Sequence, residues 1–158
     1  MIKGFEQPHP TEPIEFGHWQ GTPAVSAGLI AGVVLLILPH ASPWEGLTSF
    51  TPALMGRVVP QMWELGIFMT IVLHLALAII YGVLISFLVM HIRQLAAVLA
   101  GGVAGIVLYF LNLAVVNLWF PAMRGNEISV FVTHLVFGLI AAGAYRGLLR
   151  RRVKMSTS

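Results

Sequence analysis

The stretch Ala24-Val25-Ser26-Ala27-Gly28-Leu29-Ile30-Ala31-Gly32-Val33-Val34-Leu35 returns as Ala97-Val98-Leu99-Ala100-Gly101-Gly102-Val103-Ala104-Gly105-Ile106-Val107-Leu108, identical at eight of twelve positions. Each copy is followed by a second apolar run that encloses a histidine: Val72-Leu73-His74-Leu75 after the first, Val132-Thr133-His134-Leu135 after the second. Between the runs, Pro52-Ala53-Leu54-Met55-Gly56-Arg57 is echoed by Pro121-Ala122-Met123-Arg124-Gly125. A segment pair of this kind, present twice in one chain, reads as one structural unit used twice.

Composition says where such a unit can live. With 58% hydrophobic residues, 9% charged residues and a mean hydropathy of +0.87, a chain of 158 residues has too little polar surface for a soluble domain. Four stretches, residues 22–40, 64–91, 94–120 and 127–149, are long enough to span a hydrocarbon core, which is roughly 30 Å thick and needs a helix rising about 1.5 Å per residue. Each is expected to be helical, because a backbone facing lipid satisfies its hydrogen bonds only within a helix or a closed barrel, and the alternation of a barrel is missing. The expected fold is all-α: an integral membrane four-helix bundle made of two parallel-related helix-pair repeats. A polar tail (1–21) precedes the four-helix domain (22–149), and a basic tail (150–158) follows it.

Charge gives the orientation. The first twenty residues hold Lys3, three Glu and three Pro without an apolar core, so they read as a polar tail and not as a cleavable signal. Five of the nine basic residues, Arg146, Arg150, Arg151, Arg152 and Lys154, cluster at the end of the last span. The pI near 9.8 therefore reflects topology and does not point to nucleic acid. With four spans, one side carries seven Lys or Arg and the other only Arg57 and Arg124. Basic loops stay in the cytoplasm, so both termini are expected there. Trp44, Trp63 and Trp119 fall near the outer boundary and Trp19 near the inner one, as in interfacial belts. There is no cysteine, which excludes disulfides, thiolate metal sites and lipid anchors on Cys.

Residues 41–62 form the one sizeable loop, and Trp44, Phe50, Leu54, Met55 and Val58 make it apolar. It is expected to lie along the outer surface, either covering the helix ends or meeting a partner. Within the repeat, Gly28 with Gly32 and Gly101 with Gly105 stand at i and i+4 among Ala27, Ala31, Ala100 and Ala104. Such small-residue faces let helices approach closely in lipid. They predict packing inside the bundle, contact of helices one and three with each other, or contact with a neighbouring subunit.

Two histidines carry the candidate chemistry. His74 lies ten residues after Glu64 and His134 seven after Glu127, so on helices of the same direction both sit about 10–15 Å below the outer boundary. Asn112 falls at a similar level. Polar groups this deep need partners and are functional candidates. Small residues follow each His at i+4 and i+8: Ala78 and Gly82, Gly138 and Ala142. These notches and the paired imidazoles suit a b-type haem held by two axial ligands, His74 and His134. The alternatives are that each imidazole bonds a carbonyl or Asn112 while the notches serve close packing, or that the pair serves a quinone or metal. Without Cys, Asp or Glu nearby, two His fall short of a zinc or copper shell. His9, His18, His40 and His91 lie in the tail or at interfaces.

Other chemistries lack residues. The chain has no Asp, its six Glu lie in tails, loops or helix ends, and Lys3 and Lys154 are at its extremities. An ion-coupled transporter needs an intramembrane ionisable pair, and neither a nucleophile elbow, a His-Glu-x-x-His motif nor a phosphate loop occurs. From the Pro-rich tail through Trp119-Phe120-Pro121 to His134-Leu135-Val136-Phe137-Gly138-Leu139-Ile140-Ala141-Ala142-Gly143-Ala144-Tyr145-Arg146, the chain resembles small four-helix proteins of the bacterial inner membrane. The resemblance implies a bacterial cytoplasmic membrane and an accessory place beside a respiratory complex, and it supplies no catalytic residue. The expectation is a non-catalytic membrane subunit, surrounded by lipid and by other membrane subunits or further copies of itself. Its rivals are a haem-binding electron carrier and, more remotely, a small oligomeric permease or channel.

Overall fold

The computed structural model describes residues 19–37, 63–119 and 127–156. They form four α-helices: α1 (Gly21–Ile37), α2 (Trp63–Val89), α3 (Gln94–Trp119) and α4 (Glu127–Ser156). The polar tail up to residue 18, the apolar loop 41–62 and the Pro121 to Gly125 echo lie outside the described residues. Three helices hold windows long and apolar enough to cross a membrane: Ile71–Val89, Gln94–Leu118 and Ile128–Arg151. α1 is apolar as well but has 17 residues, about 25 Å of helix.

Local chemistry explains where the helices begin and end. The Gln20 carbonyl accepts the Ala24 N–H at 3.3 Å. Pro23 sits in that first turn, where a missing N–H leaves no bond unmade. Between α2 and α3 the chain reverses in four residues: Ile92 N donates to Val89 O at 3.1 Å, and Ala97 N donates to Arg93 O at 2.7 Å to open α3. α4 passes the expected stop at Leu149 and continues to Ser156. The added residues are mostly good helix formers with no Pro or Gly among them, and cations in the last turns meet the negative end of the helix dipole.

The helices pack as a rhombus. α2 and α4 each touch all three others, whereas α1 and α3 do not touch. Helices one and three therefore do not meet through their glycine faces. Each face is used inside its own pair. A Cβ on Gly28 would stand 2.5 Å from the Ala78 carbonyl oxygen and 3.0 Å from Ile79 Cα, and Gly82 in turn lies against Gly28 and the Ala24 carbonyl. In the second pair Gly101 lies against Gly138 and Ala142, and Gly105 against the His134 carbonyl. Backbone meets backbone at these points, and only glycine lets the axes come so close. The contacts correspond: Gly28 on Ala78 matches Gly101 on Gly138, displaced by 73 residues on the first helix of the pair (101 − 28) and 60 on the second (138 − 78). In both pairs residue numbers rise on one helix as they fall on the other, so the partners are antiparallel.

Candidate functional site

His74 and His134 project from α2 and α4, and their bonds run in different directions. His74 Nε2 donates to the Gly32 carbonyl of α1 at 3.0 Å. Gly32 carries no side chain in front of that ring, and a Cβ there would lie 3.7 Å from Nε2 and 2.7 Å from Ala78 Cβ. The glycine thus opens the path to its own carbonyl, which has a second lone pair to offer beyond the helix bond.

His134 lies in a longer string. Its Nδ1 donates to the Val130 carbonyl one turn back at 2.8 Å. Asn112 Nδ2 of α3 donates to its Nε2 at 2.7 Å. Tyr81 Oη of α2 donates to Asn112 Oδ1 at 2.6 Å. Donors and acceptors alternate consistently: Val130 O can only accept, so Nδ1 carries the ring hydrogen and Nε2 is left to accept from the amide. The string ties α2, α3 and α4 together and ends on a backbone carbonyl.

Aromatic rings flank it. Tyr109 meets the His134 ring edge to face at 6.0 Å and the Phe131 ring at 5.3 Å, and Tyr81 meets Phe137 at 6.3 Å. Thr133 spends its hydroxyl on the Ser129 carbonyl of its own helix at 2.8 Å, a common resting place for a helical Thr.

Of the residues singled out from sequence, His134 and Asn112 are joined directly, whereas His74 is tied to α1. The notches beside the imidazoles are filled by helix backbone: Gly82 faces Gly28 and Ala24, and Gly138 faces Gly101 and Gly105. A haem between His74 and His134 would need both Nε2 bonds released and both notches vacated. Among the described residues, no three His, Cys, Asp or Glu side chains gather into a set that could hold a metal ion.

Tyr81 and the contacts of Trp19 were not marked by the sequence pattern. Asn112 was the signal for Tyr81, because an amide within an apolar run has more bonding capacity than one imidazole uses. Where α1 begins, Trp19 stacks on Phe87 with centroids 4.5 Å apart and donates Nε1 to Ser86 Oγ at 2.8 Å. Ser86 is fully buried and passes its own hydrogen to Val83 O at 2.7 Å. Trp19 thus fastens the segment before α1 to α2 and is more than an interfacial side chain. Comparison with family models, with curated proteins and with solved structures finds no match for this chain.

Proposed function

We propose that this chain is an integral membrane protein built from two copies of one helix pair, and that it serves as a non-catalytic subunit of a larger membrane assembly. One observation carries the reading: His74, Asn112, Tyr81 and His134 spend their hydrogen bonds on one another and on carbonyls within the chain, while the outward surface is apolar. On α3, Leu95, Leu99, Val103, Val107 and Leu111 recur every four residues and are all more than half exposed. That stripe suits lipid tails or the helix of another subunit. The resemblance to small bacterial inner-membrane proteins points to an electron-transfer complex as the assembly. The seven-to-two distribution of Lys and Arg supports cytoplasmic termini.

The test is purification from the native membrane in mild detergent, with identification of the attached proteins. Co-migrating membrane subunits are expected; a chain that runs alone as a monomer overturns the assembly reading. A visible spectrum of the same preparation separates the rival electron carrier. A reducible Soret band that vanishes in both His74→Ala and His134→Ala would replace a structural role for the imidazoles with haem ligation. For orientation, a reporter at Ser158 that is active only outside the cytoplasm should stay silent.

A further inference from the structure

One end of the bundle gathers cations on the rim of an apolar surface. Arg146 Nη1 donates to the Met90 carbonyl at 3.0 Å, which places Arg146 beside the end of α2. α4 runs ten residues farther, to Ser156, about 15 Å of helix. That extension carries Arg150 and Arg151, both exposed, and then Arg152 and Lys154 in sequence. Arg146, Arg150 and Lys154 recur at i, i+4 and i+8 and so share one stripe of the helix. Arg93, exposed in the α2–α3 turn three residues after Met90, adds a further cation at this end. The helices flanking that turn expose hydrocarbon: Leu88 of α2 is 62% exposed, and Leu95 and Leu99 of α3 are 76% and 61% exposed. Glu64 and Glu127 stand at the opposite ends of α2 and α4.

We infer that this end binds the headgroups of anionic phospholipids: Arg93, Arg150 and Arg151 hold the phosphate, and the acyl chains lie on Leu88, Leu95 and Leu99. The inference rests on the membrane reading proposed above. Guanidinium forks match phosphate oxygens two at a time, and juxtamembrane cation clusters are drawn to anionic leaflets. Arg146 and Arg150, one turn apart on α4, oppose each other, and an anion beside Arg150 reduces that opposition. The apolar rim decides the ligand class. Free phosphate would use only the cations, whereas an amphiphile with a negative head uses both.

The full chain in neutral detergent micelles is melted with added phosphatidylglycerol, with added phosphatidylcholine, and with inorganic phosphate alone. The midpoint should rise by several degrees with phosphatidylglycerol only, since a ligand that binds the folded state alone stabilises it. The R93Q/R150Q/R151Q variant should melt like the parent in phosphatidylcholine and lose the rise. Equal rises with the two lipids, a rise with phosphate alone, or a rise retained by the variant overturns the inference. So does the absence of any rise. Alkaline carbonate extraction of native membranes separates the two levels: a chain released by carbonate defeats the membrane reading itself, while a retained chain with no lipid preference defeats only the headgroup site.

Discussion

In the α1–α2 pair the imidazole of His74 ends on a backbone carbonyl, Gly32 O. In the α3–α4 pair the imidazole at the matching place, His134, takes its bond from the side chain of Asn112, which is itself held by Tyr81 of α2. The two pairs share their small residues, so residue identity along the seam does not explain the difference. What differs is how the helices meet one turn from the ring. Gly105, the counterpart of Gly32, lies against the His134 carbonyl, whereas Gly32 lies against Ala78 Cβ and leaves its carbonyl open to the His74 ring. The His74 ring fastens two helices and the His134 string fastens three. A histidine repeated in sequence therefore acquires its role from the contacts of its backbone.

The seams should give the largest effects. Gly101→Leu and Gly28→Leu each force a side chain into neighbouring backbone, and each should cost about 3 kcal/mol or more, at the upper end of overpacking penalties. Unfolding by titration with a denaturing detergent measures this. A harmless Gly28→Leu beside a damaging Gly101→Leu would show that the two pairs are not packed alike.

The histidines come next and sharpen the contrast. His134→Ala strands the Asn112 amide and should cost about 1.5 kcal/mol, while His74→Ala frees a carbonyl that keeps its helix bond and should cost about 0.6 kcal/mol. In double-mutant cycles with Asn112→Ala, a coupling of about 1 kcal/mol is expected for His134 and none for His74. Equal couplings would mean that the two rings belong to one network. Tyr81→Phe removes a single hydroxyl from the string and should cost about 0.6 kcal/mol, read in the same titration. The smallest change is a control on the seams. Gly147 would meet nothing within 4 Å if it carried a Cβ, so Gly147→Ala should stay within about 0.5 kcal/mol or stabilise, since Ala favours helix.

Much of the fold was legible because its causes are local. Four long apolar runs separated by polar or Pro-containing segments specify four helices, and α2, α3 and the start of α4 fall within two residues of the expected bounds. Their four-residue spacing marked Gly28 with Gly32 and Gly101 with Gly105 as close-approach positions, since two glycines on one helix face leave room for a neighbouring backbone. Which helix each glycine face meets depends on how four helices share a cross-section, and no local pattern records it. The structure sets α1 on α2 and α3 on α4, and keeps α1 and α3 apart. The same holds for the polar groups. Their place inside long apolar runs called for partners for His74, Asn112 and His134, but joining Asn112 to His134 and Tyr81, and His74 to Gly32, follows from rotations about the helix axes that are settled only when side chains from neighbouring helices compete for the same space.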